Sequence, residues 1–138
     1  MNLKNKLPAT IKEVKKGKLN AHVSLDWKGI SLSGIITSTS ADEMNLTPGD
    51  RVEALFKASD VILARNLSGQ LSARNVFAGA IVEIIKSFPL AMVDMDASGC
   101  RVSAEITLSS LEAMGLNEGD DVDVVIKSSE LILAKVFK

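Results

Sequence analysis

The sequence predicts an all-β fold with short helices, organised as two tandem OB-like five-stranded barrels. Three observations predict it. The chain matches itself without a gap when shifted by 70 positions: between residues 7–68 and 77–138, 21 of 62 aligned positions are identical. Each copy carries five short runs that are apolar, β-branched or alternating, which is the pattern of strands. Turn-forming Gly, Pro, Asn and Asp residues separate these runs at matching places in the two copies. A repeat on this scale has to be read before any single motif. It divides the chain into units at 1–67 and 68–138, joined through NLSGQL at 66–71, where the Ser-Gly step signals a turn.

In chain order, the first copy places strands at 9–14, 21–26, 30–37, 52–56 and 61–65. The second repeats them at 80–85, 91–96, 101–107, 122–126 and 131–136. Between strands two and three stand DWKG (26–29) and DASG (96–99). A Gly three residues after Asp26 or Asp96 reads as a hairpin turn rather than as a carboxylate site. Between strands three and four, SSLEAMGL (109–116) offers a Ser cap, Glu112 in the first turn and Gly115 as a stop, hence a short helix. SADEMNL (40–46) is its counterpart, with Asn45 in the place of Gly115. The following PGD and EGD launch strand four as tight turns. A unit of about 65 residues has a thin core and many edges. The copies are therefore expected to cover each other, and the chain to self-associate.

Composition narrows the function classes. With 46% hydrophobic residues the chain can build cores, and a net charge of −1 disfavours nonspecific nucleic-acid binding. The same charge leaves room for a local cluster of anion donors. No apolar run approaches the length of a signal peptide or membrane span, so a soluble, cytoplasmic protein with no membrane partner is expected. The single Cys100 stands opposite Ile30 in the repeat and reads as a small hydrophobe. The single His22 is replaced by Met92 in the other copy and reads as a strand-face or surface histidine. Trp27 reads as an exposed aromatic in a turn, and four Phe with no Tyr give no stacking platform for nucleic acid. No phosphate-loop, dinucleotide or zinc-protease motif appears. An enzyme, an organic cofactor and direct protein-to-metal ligands are accordingly not expected.

What both copies keep is hydroxyls and cations at strand ends. Thr37 and Ser40 recur as Thr107 and Ser110 at the start of each helix. Lys57 and Lys127 close strand four, followed by Ala58-Ser59 and Ser128-Ser129. Ahead of strand one lie Ser72, Arg74 and Asn75, and at the same offset Asn2, Lys4 and Asn5. Hydroxyls, backbone N–H groups and cations are natural donors to an anion. Helix caps, turns and solvated cations account for the same spacing, and spacing alone does not decide between the two.

SARNVFAGAIVEI (72–84), AEITLSSLEAMGLNEGDDVDVVIKSSELIL (104–133) and GIITSTSADEMNLTPGDRVEALFKASDVIL (34–63) resemble the molybdate-binding Mop, or TOBE-type, domain. The two-unit arrangement is similar to that of the di-domain molbindins. The resemblance implies OB-like barrels in which a strand of one unit completes its neighbour, with oxyanion sites between units. One partner would supply Ser72, Arg74, Asn75, Lys127 and Ser128, and a neighbouring unit the Thr107/Ser110 pair. The matching first-copy set is Lys4, Asn5, Lys57 and Ala58, with Thr37 and Ser40. The resemblance further implies a homotrimer that stores or buffers molybdate or tungstate in the cytoplasm. Copy one departs from the pattern: Asn2 replaces Ser72, Ala58 replaces Ser128, and Lys4 keeps the charge of Arg74 without its fork. Its half-site is expected to be weaker. A non-catalytic interaction scaffold and an OB-type nucleic-acid-binding module are the rival readings.

Overall fold

The computed structural model describes residues 4–136. The first repeat forms β1 (Lys4–Lys16), β2 (Asn20–Trp27), β3 (Ile30–Thr37), α1 (Ser38–Glu43), β4 (Arg51–Lys57) and β5 (Ile62–Ala64). The second forms β6 (Asn75–Ser87), β7 (Leu90–Ala97), β8 (Cys100–Thr107), α2 (Leu108–Met114), β9 (Asp121–Ile126) and β10 (Ile132–Lys135). Single 3₁₀ turns, Ala58–Asp60 and Ser128–Glu130, precede the last strand of each repeat.

Ten strands make two five-stranded sheets, ordered β10-β4-β1-β2-β3 and β5-β9-β6-β7-β8. Each repeat builds four strands of its own sheet and lends its fifth to the other. β10 pairs with β4 through Ile132↔Leu55 and Leu133↔Ala54, and β5 pairs with β9 through Ile62↔Val125 and Leu63↔Val124. The exchange implied by the resemblance therefore takes place here between the halves of one chain. The two OB-like units expected are seen as two five-stranded sheets with short helices, one of them curled into a half-barrel. β10 packs beside β3 where Gly34 lies under Leu131 and Leu133, yet no hydrogen-bonded ladder joins these two edges.

β1 and β6 are longer than their apolar patterns indicate. The opening half of β1 pairs with β4 from Lys4↔Lys57 to Thr10↔Arg51, and the closing half pairs with β2. A bulge between Ile11 and Glu13 lets one strand serve both partners, and β6 repeats it between Ile81 and Glu83. Pro8 falls where β1 has a ladder only on its β4 side, so its missing N–H is tolerated. The hairpins at Lys28-Gly29 and Ser98-Gly99 have positive φ at both central residues, the two-residue turn that matches strand twist. Asn45 and Gly115 are both left-handed at the helix ends, as their shared position predicts.

The core runs through both repeats. Trp27 belongs to it, contrary to the expectation of an exposed turn residue, and is 0% exposed. The turn takes only Lys28 and Gly29, so Trp27 stays on β2 and follows Val23 and Leu25 inward. Its ring meets Phe77 of the other repeat edge-on, with centroids 4.9 Å apart. The Trp27 Nε1 is buried without a partner among the described residues, a cost of about 1–3 kcal/mol.

Cations clamp the exchanged strands. Arg65, just after β5, donates to the Met114 carbonyl at 3.0 Å and to the Asp120 carboxylate at 2.8 Å. Lys135 donates to the carbonyls of Met44 and Asn45 at 3.1 and 3.2 Å and lies 3.3 Å from Asp50. Each cation thus sits on the C-terminal end of the other repeat's helix, where free carbonyls and the helix dipole favour positive charge. The Thr47 backbone N–H, followed by Lys135, holds the Asp50 carboxyl below its usual range.

Candidate functional site

The strand exchange decides which predicted residues meet. The β6–β9 ladder ends at Asn75↔Ile126, and one residue beyond it stand Arg74 and Lys127. In the first repeat the equivalent pair, Lys4↔Lys57, lies within the ladder itself. Both repeats therefore set two cations opposite each other at the same sheet corner. Like charges directly across a ladder are destabilising. Arg74, Lys127 and Lys57 are exposed and form no ion pair among the described residues, whereas six other cations do. The side chain of Lys4 lies outside the described set.

Buried polar groups support each corner. Asn75 is fully buried: its Nδ2 donates to the Ser33 carbonyl at 2.9 Å, and its Oδ1 accepts from the Ser33 N–H at 2.7 Å. Asn5 treats Ser103 identically, at 2.9 and 2.7 Å. Ser33 and Ser103 lie on edge strands, and each Asn supplies the partners that a further strand would have supplied. Asn75 and Asn5 therefore tie the corner of one repeat to the sheet of the other.

Beside Lys127, Ser128 is 8% exposed and donates its hydroxyl to Ser33 Oγ at 2.9 Å. Ser33 Oγ is in turn 2.6 Å from His22 Nε2 on β2. At the other corner Ala58 has no hydroxyl, and Ser103 Oγ donates to Asp94 at 2.6 Å, with Arg101 3.6 Å from the same carboxylate. Ser72 is exposed on the segment leading into β6.

The Thr/Ser pairs serve first as helix caps. Thr37 and Thr107 cap α1 and α2, each accepting from the N–H of Ser40 or Ser110 at 3.0 Å. Each threonine hydroxyl also donates to its serine, at 2.8 and 2.9 Å. Thr107 and Ser110 line a cavity of about 400 Å³ with Ser59, Ile62, Leu63 and Met114. This pair thus faces the first repeat's 3₁₀ turn, and among the described residues no hydrogen bond links either pair to Arg74 or Lys127.

Ser33, Ser103 and His22 were missed as contributors. The serines carried a signal, since they match at the 70-residue offset. His22 carried none, because Met92 replaces it in the other copy and its contact with Ser33 runs diagonally across the β2–β3 ladder. It is half-buried on a strand face, and Cys100 packs half-buried against the core, both as expected. Among the described residues no group of three or more His, Cys, Asp or Glu could hold a metal ion. No helix there is long and apolar enough to cross a membrane.

Fold and site together define a class: a duplicated, strand-exchanged β protein presenting unpaired cations and hydroxyls at the corners where its repeats meet. The TOBE domain family model matches residues 3–63 and 71–133, and the chain belongs to that family. It is 37% identical over 134 residues to the molybdenum-pterin-binding protein MopA of Rhodobacter capsulatus, covering 95% of this chain and 51% of that one. It is 35% identical over 104 residues to the molybdenum transport protein ModE of Azotobacter vinelandii, covering 75% and 38%. The chain spans about half, or less, of the length of these curated relatives. A solved structure of the cytoplasmic molybdate-binding protein ModG with molybdate bound superposes with a TM-score of 0.90 at 30% identity, over 94% of each chain.

Proposed function

We propose that this protein is a cytoplasmic, non-catalytic binder of molybdate or tungstate, which it stores or buffers at junctions between repeats of a homotrimer. The observation that carries the reading is the pair of cations facing each other at the same corner of both repeats. Arg74 against Lys127 opposes folding until an anion lies between them. A tetrahedral dianion needs several donors and compensating charge. Arg74 gives a forked donor, Lys127 a point charge, and Ser72 and Ser128 give hydroxyls. Asn75 retains one amide hydrogen beyond its bonds to Ser33. The curled OB-like sheets and the likeness to ModG support this reading.

The Thr107/Ser110 pair enters as the contribution of another unit. Within this chain no hydrogen bond among the described residues links it to Arg74, so a partner copy would bring its pair to the corner. Charge-assisted bonds of about 1.5–3 kcal/mol each supply the main attraction. The one hydroxyl beside a base at this corner, Ser33 next to His22, is 9% exposed and already hydrogen-bonded, so the corner supports binding without chemistry.

Equilibrium dialysis tests the reading. Molybdate and tungstate are expected to bind tightly and sulfate weakly, because the smaller anion does not reach all of a fixed set of donors. Sedimentation of the same samples is expected to give three chains. A scaffold or nucleic-acid module would retain the oligomer and take up no molybdate, and that outcome would reject the proposal.

A further inference from the structure

The two corners differ in a coordinated way. On the Arg74 side, His22, Ser33 and Ser128 form an unbroken chain, 2.6 Å and then 2.9 Å long. At the matching positions on the other side stand Met92, Ser103 and Ala58, and the Ser103 hydroxyl is spent on Asp94 at 2.6 Å. Only the Arg74 corner joins a titratable ring to a hydroxyl beside the paired cations. Ser33 and Ser128 are 9% and 8% exposed, so solvent does little to satisfy or reorient them.

A hydroxyl has one hydrogen to give, and the direction of this chain follows from that. When His22 is neutral with its hydrogen on Nδ1, Nε2 accepts: the Ser33 hydrogen goes to it, and the Ser33 oxygen takes the Ser128 hydrogen. Ser128 then turns only lone pairs outward, toward the position of an oxyanion. When Nε2 carries a proton it donates to Ser33, Ser33 donates to Ser128, and the Ser128 hydrogen is released to face the anion. One proton on His22 thus reverses two hydroxyls.

We propose that His22 is a positioning residue for the Arg74–Lys127 site: through Ser33 it sets whether Ser128 offers a hydrogen or lone pairs to the bound dianion. The inference rests on the oxyanion-binding reading above. The cations of β1 beside His22 come in compensated pairs. Opposite it on β1 is Lys15, paired with Glu13, and next to that Lys16, paired with Asp42 of α1. β3 brings Ile35 and Ser33, and the 3₁₀ turn brings Ser128 along with Glu130. A bound dianion is therefore the main change in charge near this relay. By reciprocity, anything that aids Nε2 protonation aids anion binding, and the anion aids protonation.

The test measures molybdate affinity by calorimetry at about pH 6 and about pH 8, the range across which histidine side chains change charge. Wild type is expected to bind about three- to tenfold more tightly at the lower pH. His22→Met, which installs the residue the other repeat carries, is expected to reduce that ratio to one while leaving the fold intact. Ser128→Ala keeps His22 and the dianion but cuts the relay, and is also expected to abolish the ratio. His22 is the sole histidine, so its imidazole NMR signals report directly. Molybdate should move these signals in wild type and far less in Ser128→Ala. If wild type binds molybdate and Ser128→Ala keeps the full pH ratio, His22 acts through space or not at all, and the relay is overturned while the binding function stands. If wild type binds no molybdate at either pH, both fall.

Discussion

Arg74 is the residue on which the proposed site turns. It stands one position past the β6–β9 ladder, across from Lys127, and among the described residues no carboxylate pairs with either charge. Arg74→Ala is therefore expected to weaken molybdate binding by about 1.5–3 kcal/mol, the value of a charge-assisted bond. In the anion-free protein the same change should leave the melting temperature unchanged or slightly raised, because it removes a repulsion. A calorimetric scan showing clear destabilisation without anion would make Arg74 a structural residue instead. Asn75 has the opposite profile. Asn75→Ala leaves the buried Ser33 N–H and carbonyl without partners, and should cost about 2–4 kcal/mol in urea unfolding whether or not molybdate is present. Both residues were visible in the sequence as part of SARN, but their division of labour was not. Arg and Asn are both plausible anion donors, and only the position of Ser33 on an exposed sheet edge reveals that Asn75 is already occupied.

At the scale of elements, the five strands per repeat, the hairpins and the capped helices were legible because each depends on local pattern. Asn45 and Gly115 stop and Lys28-Gly29 turns through their immediate neighbours, but the caps are Thr37 and Thr107 rather than the expected Ser, because each helix starts earlier, which in α2 leaves Glu112 outside the first turn. The partner of the fifth strand was not legible from its residues. Ile62-Leu63-Ala64 and Ile132-Leu133-Ala134 are identical, so either sheet accepts either strand, and the choice falls to chain geometry and to the Arg65 and Lys135 clamps. The opening halves of β1 and β6 were hidden for a different reason: polar Asn5 and Asn75, which meet the other repeat, break the apolar pattern around Leu7 and Phe77. The clamp on β10 gives a pH prediction. The Thr47 N–H and Lys135 favour charged Asp50, so its folded pKa lies below 3.8. A carboxylate depressed in this way contributes its stability above the unfolded pKa and loses it as pH falls through the folded value. Asp50→Asn should therefore melt below wild type at neutral pH, and the gap should close below about pH 4. A gap that persists unchanged into acid would show that the carboxylate charge plays no part in the clamp.

At the scale of the molecule, duplication yields a pseudo-symmetric body whose two corners are not equal. The exchanged strands, the Trp27–Phe77 contact and the Asn5 and Asn75 ties make each repeat depend on the other. Substitution has then separated the corners. One keeps Arg74, Ser128 and a hydroxyl relay, while the other keeps Lys4 and Lys57 beside Ala58 and a Ser103 committed to Asp94. The central claim is that the facing cations are where the anion sits, with the Arg74 corner the stronger. Anomalous diffraction at the molybdenum edge, on crystals grown with limiting molybdate, locates the metal directly. The strongest peak is expected within hydrogen-bonding reach, about 3 Å from oxygen ligand to donor, of Arg74, Lys127 and Ser128. A peak confined to the Thr107–Ser110 cavity, or no ordered molybdenum at either corner, would contradict the account.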